Sequence, residues 1–222
     1  MSNNVARILS LDLDWFNGGF QKKLNSRIYD FFDTLRKKCT LPRTFSLVTE
    51  HHYLYPWSVK LLHKLKRKKL EVVNIDEHHD FYWLSKLKFD DPCQSIDCGN
   101  FFAFMAHKKL LHKYTWVSNQ GDYAPPQNLR RELSLASSDI VKKFQSNIAV
   151  VDADAVFESV KNTKFDGFII VRSPEYTLNS HAVYRSVGNT LNKLFPKKKI
   201  KRYKHSASIL HGKIPEVAGI FA

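Results

Sequence analysis

Short apolar, β-branched runs recur along the chain, each followed by polar residues and then by a stretch whose apolar positions return at helical spacing. The runs predict strands at residues 6–13, 44–49, 70–75, 114–118, 147–151 and 168–172. The stretches between them predict helices at 19–38, 57–68, 100–111, 137–143 and 180–194. Strands alternating with helices call for a mainly parallel sheet, because right-handed crossovers lay the helices over both faces. The expected fold class is α/β, a three-layer α/β/α arrangement, with ligands received beyond the carboxyl ends of the strands. No internal repeat or Gly/Ser linker divides the chain, and 222 residues suit one domain spanning 1–222.

Acidic and histidine residues gather at those strand ends. Asp12 and Asp14 close the first strand, Glu50, His51 and His52 follow the second, and Asp76 to Asp80 follow the third. In Asp76-Glu77-His78-His79-Asp80, alternate side chains project to one side, so Asp76, His78 and Asp80 can converge. Asp12 and Asp14 obey the same rule, and His51 adds a second imidazole. Several carboxylates brought together at strand ends without partners are costly, and a pair of divalent cations neutralises them. Mixed carboxylate and imidazole ligation suits Mn, Fe or Zn better than Ca or Mg. Asp152 and Asp154 hold the same place after a later strand, and there the simpler reading is a turn, with Asp154 capping residues 155–160.

The segments Leu9-Ser10-Leu11-Asp12-Leu13-Asp14 and Ile75-Asp76-Glu77-His78-His79-Asp80 resemble the two metal motifs of the arginase and agmatinase (ureohydrolase) superfamily. The longer set adds Glu50-His51, Cys98-Gly99-Asn100 and Val171-Arg172-Ser173-Pro174-Glu175-Tyr176-Thr177. It looks like the uncharacterised-protein family 0489 branch, which includes peptide arginases. The resemblance covers most of residues 8–177 and implies an arginase/deacetylase-like fold holding two Mn ions. Asp76 and Asp12 would bridge them, His51 and Asp80 would complete one shell, and His78 and Asp14 the other. Glu175 would receive a substrate guanidinium and Asn100 would lie near the mouth. Asp14 or Asp80 would relay a proton, with His52 or His79 as shuttle. The implied reaction converts peptidyl arginine to ornithine with release of urea. Two departures stand out. The DxD opens the chain instead of following DxHxD, which implies a circular rearrangement of strand order, and Glu77 occupies a position where the family usually has a small residue. The loop with which arginases hold the α-amino and α-carboxylate groups of free arginine has no counterpart, which favours a larger substrate.

Two rival readings follow from the same residues. One is another binuclear amidohydrolase or a small-guanidine hydrolase. The other, prompted by 35 Lys and Arg against 21 Asp and Glu, is a non-enzymatic module that binds nucleic acid. No nucleic-acid-binding signature accompanies the charge. The basic runs at 63–69 and 197–205 are expected to be solvated surface, or to meet an acidic leader on a peptide substrate. Trp57, Trp83, Phe101, Phe102 and Phe104 are read as core, and Cys98 as a small buried thiol. Three cysteines at irregular spacing make no disulfide framework, and acidic residues interrupt the first apolar run before it reaches membrane length. The expectation is a cytoplasmic protein with no membrane partner.

Overall fold

The computed structural model describes residues 4–17, 23–91, 96–119 and 126–202. Within them, seven strands are joined in the order β5-β4-β3-β1-β6-β2-β7, and every pair is parallel. The strands are β1 Val5–Asp12, β2 Thr44–Val48, β3 Lys69–Asp76, β4 Leu111–Ser118, β5 Ile148–Asp152, β6 Gly167–Val171 and β7 Lys199–Arg202. The helices are α1 Leu24–Lys38, α2 Leu54–Leu65, α3 Phe101–His107, α4 Pro126–Leu135, α5 Asp139–Phe144, α6 Val156–Ser159 and α7 Ser180–Leu194. The three-layer α/β/α class is as expected, and its parallel seven-stranded sheet matches an arginase/deacetylase-like topology. The strand carrying the DxD lies beside the strand carrying the DxHxD although a helix, a strand and another helix separate them in the chain.

The period-two alternation of the strands decides the layers. Ile8, Val72, Trp116 and Ile169 face one core, built with α2, α3, α4 and α5. Leu9, Leu11, Val73, Ile75 and Phe168 face the other, built with α1, α6 and α7. Burying both faces explains why these strands read as nearly continuous apolar runs. On the first face the alternation turns polar near the carboxyl ends: Ser10 and Asp12 continue the row of Ala6 and Ile8, and Asn74 and Asp76 continue that of Leu70 and Val72. β1 leaves through α1 on one face and β3 through α3 on the other. The strand order therefore reverses between them, where a crevice opens in such sheets.

Several boundaries differ from the expectation. The helix expected over 100–111 stops at His107, because Lys109 takes a left-handed conformation (φ 57°) and Leu111 already pairs with β3. The helix expected over 57–68 runs instead from Leu54 to Leu65, ended by Lys66 at φ 54°. The first helix begins at Leu24, and the start expected at 19 falls outside the described residues. α4 has no counterpart in the expected elements. The basic run 197–205 contributes β7, an exposed edge strand, and its last three residues lie outside the described set. Among the described residues no helix is long and apolar enough to cross a membrane.

Candidate metal centre

β1 and β3 end side by side, so Asp12 and Asp76 come together by register alone, and β2 and β6 add their own loops from one side. His51 follows β2 and is buried. Its Nδ1 lies 2.9 Å from Asp76 Oδ2, 2.9 Å from Asp80 Oδ2 and 3.3 Å from Asp12 Oδ2. One ring nitrogen can share one proton, yet it faces three carboxylate oxygens. Asp80 Oδ2 is buried and has no hydrogen-bond partner of good geometry, its close polar neighbour being the His51 Nδ1 that the other carboxylates also face. This leaves an acceptor poorly satisfied where the four groups converge. A second cluster adjoins the first: His78 Nδ1 is 3.0 Å from Asp14 Oδ2 and 3.9 Å from Asp76 Oδ1. Ligand atoms of Asp12, His51 and Asp76 lie within 4.8 Å of one another, as do those of Asp14, Asp76 and His78, so Asp76 belongs to both groups.

The surrounding contacts hold these donors in place. Ser10 Oγ is 3.0 Å from His51 Nε2, which leaves Nδ1 turned toward the carboxylates. Ser173 Oγ donates to Asp12 Oδ2 at 2.5 Å, and Asn74 Nδ2 donates to Asp76 Oδ2 at 3.1 Å. The His78 N–H closes onto Asp76 Oδ1 at 2.8 Å. From β4, Tyr114 Oη donates to the His79 carbonyl and Trp116 Nε1 to the Asp76 carbonyl, both at 3.0 Å, which pins the DxHxD loop to the sheet. Phe101 and Phe102 of α3 form an apolar wall behind the His51 ring. Asp80 and Ser173 have left-handed backbones (φ 54° and 40°), a conformation that costs about 1–3 kcal/mol for residues other than glycine and that clusters at functional sites.

Electrostatics confirm the crowding. Burial, with the charges of Asp12 and Asp76, pushes Asp14 well above the ordinary carboxylate range; burial and the charge of Asp76 do the same to Asp80. Burial also raises Asp12 against the lowering contacts of His51 and Ser173. Burial opposes ionisation of Asp76 too, but the charge and hydrogen bond of His51 outweigh it and hold that group low. His51 is buried yet held well above its usual range by Asp80, Asp76 and Asp12. Burial likewise opposes protonation of His78, and Asp14 and Asp76 overcome it, up to about 9. Two imidazolium ions offset at most two of the four carboxylates. Two divalent cations would satisfy the set, and its mixed oxygen and nitrogen donors fit Mn, Fe or Zn.

The remaining predicted residues take different positions. Glu175 is exposed just past β6, close enough to Glu50 for the two charges to interact. Burial first, then Glu175 and Asp12, raise the Glu50 carboxyl. Asn100 is 1% exposed at the start of α3 and accepts the Asp97 N–H, so its amide oxygen braces the loop below the mouth. His52 is half-buried against Tyr53. His79 is fully buried, stacks on Tyr82, accepts the Phe81 N–H at Nδ1, and is pushed by burial down to about 3. Those surroundings suit an orienting ring more than a proton carrier.

Asp152, the last residue of β5, and Asp154 just beyond it stand exposed on an edge strand two places from β3 and belong to neither ligand group. Asp154 is not a cap: the short turn after β5 starts from Asp152, and α6 from Ala155 without a side-chain cap. Cys98 is half-exposed with Sγ 3.7 Å from Tyr176 Oη, and Trp83 is 54% exposed, so neither is the buried group expected. Trp57, Phe101, Phe102 and Phe104 are core.

Ser10, Ser173 and Asn74 support the site without a role assigned to them from the sequence, and Glu50, placed there among the acidic residues at strand ends, had none either. Period two from Asp12 and Asp76 points at Ser10 and Asn74; nothing local marks Ser173. Glu77 is turned aside: its Oε2 accepts from Asn17 Nδ2, whose partner Tyr176 carbonyl joins the loops after β1, β3 and β6. Comparison of the chain with family models, with curated proteins and with solved structures yields no match. The fold and the two ligand clusters resemble a binuclear centre of ureohydrolase type, and they support metal-dependent hydrolysis.

Proposed function

We propose that the chain is a binuclear hydrolase that takes the guanidino group of an arginine side chain within a peptide and releases urea, leaving ornithine. The observation that carries this reading is the arrangement at His51 Nδ1, three carboxylate oxygens around one nitrogen, with Asp76 shared by an adjoining Asp14–His78 cluster. Asp12, His51, Asp76 and Asp80 would hold one cation and Asp14, His78 and Asp76 the other, manganese fitting the donor set. Once bound, such a pair supplies Lewis acidity and a hydroxide nucleophile at neutral pH.

The rest falls to side chains of the chain itself. A guanidinium is resonance-stabilised and attack on its carbon demands alignment, which Glu175 and Glu50 at the rim provide by accepting its N–H groups and balancing its charge. The Tyr176 ring, edge-on to His78 at 5.6 Å, borders the same mouth. Water adds to the carbon, the bond to the side-chain nitrogen breaks, and that nitrogen leaves as an amine once it gains a proton. Asp14 or Asp80 would relay that proton, with His52 as the outer shuttle. The exposed rings of Tyr176 and Trp83, 46% and 54% accessible, would meet the peptide that flanks the arginine.

The test is urea release and the matching peptide mass loss from arginine-containing peptides with manganese-loaded protein, beside agmatine and free arginine. Turnover of the peptide, abolished in Asp76→Asn, is expected. Urea from agmatine alone would move the reading to a small-guanidine hydrolase, and no urea from any of the three would end it.

A further inference from the structure

We propose that the basic edge formed by the α2–β3 and α3–β4 turns docks an acidic segment of the same peptide whose arginine enters the metal centre. Because all strands are parallel, their starts share one end of the molecule and their acidic ends the other. The two turns are neighbours there: the Leu70 N–H donates to the Leu110 carbonyl at 2.7 Å, and β3 pairs with β4 from Leu70 and Leu111 onward. Together they present Lys64, Lys66, Lys68, Lys69, Lys109 and Lys113, all exposed and none in an ion pair among the described residues. The nearby carboxylate of Glu71 is already taken by Arg7 at 2.9 Å.

The backbone supplies an independent sign that these charges are kept for a reason. Both helices end on a left-handed residue that closes the final turn: Lys66 N–H reaches the His63 carbonyl and Arg67 N–H the Leu62 carbonyl, while Lys109 N–H reaches Ala106 and Leu110 N–H reaches Met105. Glycine takes that position without strain and is the usual choice. Here both positions hold lysine, at φ 54° and 57°. The helix dipole rewards cations in a last turn, which accounts for Lys64, but it asks for no side chain at the left-handed position and has no bearing on Lys69 or Lys113, which lie on strands.

The edge is mainly lysine, joined by His63, Arg67 and His112, and among its described residues it exposes no Phe, Tyr or Trp ring. It therefore reads repeated negative charge and lacks the large aromatic platforms on which bases stack. That favours an acidic peptide over single-stranded nucleic acid. Eight strand residues separate the edge from the metal centre, roughly 25 Å, so the acidic segment must precede or follow the arginine by at least about eight residues of extended chain. The proposal rests on the peptide reading of the site only for this linkage; docking itself requires no turnover.

The experiment is fluorescence anisotropy of a fluorescein-labelled deca-glutamate peptide with the full chain at low salt, repeated with dT10 and with added salt. Deca-glutamate is expected to bind, to weaken as salt screens the contact, and to bind Asp76→Asn unchanged. Lys68→Glu/Lys69→Glu/Lys113→Glu is expected to weaken it about tenfold or more, while Lys199→Glu/Lys201→Glu on β7 stays within about twofold. Lys66→Gly/Lys109→Gly is expected to lower affinity about threefold and yet raise the melting temperature by about 2–4 °C, opposite signs that a purely structural lysine cannot produce. Equal affinity after charge reversal at the edge, tighter binding of dT10 than of the peptide, or a lower melting temperature in the glycine variant would each overturn it. Loss of urea release with binding intact would instead strike at the proposed reaction.

Discussion

Ser173 shows how much of the centre depends on residues that carry no charge. Its left-handed backbone turns the chain after β6 so that Oγ meets Asp12 Oδ2, and it has no role in either hydrophobic core. Groups that orient a ligand typically change metal affinity by about 10–100-fold when removed. Ser173→Ala is therefore expected to weaken manganese binding by about that factor in calorimetric titration while leaving two sites countable; unchanged affinity would mean that Asp12 is positioned by the strand alone. Asp12, Asp14, Asp76 and Asp80 were legible as residues because carboxylates at the end of an apolar run have no packing motive. Serine is common in every loop, so the role of Ser173 becomes visible only through the atom it touches, whereas Asn74 is marked by its place two residues before Asp76.

At the scale of elements, alternation carried most of the information. Strands buried on both faces show unbroken apolar runs, and the points where Ser10 and Asn74 interrupt one face mark where packing yields to chemistry. Boundaries were less legible, since a lysine at a left-handed helix end carries no composition signal where glycine would. The start of β6 illustrates a constraint invisible in one dimension. A Cβ added at Gly167 would lie 2.5 Å from the Trp57 ring and 2.8 Å from Leu61 Cδ2, and the ring is tethered by Nε1 to Ser46 Oγ at 2.9 Å. Gly167→Ala is expected to destabilise the fold by about 1–3 kcal/mol, read as a lower midpoint in urea. An unchanged midpoint would show that α2 shifts freely over the sheet.

For the whole molecule, the segregation of acids to one end of a parallel sheet sets how stability responds to pH. His51 and His78 have folded values above the usual imidazole range of about 6.5, so their contribution is fully present below that pH and is lost as pH rises, for His78 through about 9. Asp12, Asp14 and Asp80 are raised as well and act with the same sign, while Asp76 is lowered and acts with the opposite one, at acid pH. Metal-free protein is therefore expected to lose melting temperature between about pH 6.5 and 9. Manganese, which competes with those protons, should bind more tightly over the same range and reverse the trend. A metal-free melting temperature that climbs across this window would contradict the assignment of the two imidazoles.

Local pattern alone determined the α/β class, the layering and the kinds of side chain that collect at strand ends, because hydrophobic periodicity and the cost of burying unpaired charge act residue by residue. Which strands stand next to one another was decided only by the folded chain. β1 pairs with β3 and β6, and β6 with β2, across long stretches of sequence, and those adjacencies put Asp12 beside Asp76 and His51 among three carboxylates. Long-range pairing follows from how whole layers bury their faces together, a property no short window of residues contains.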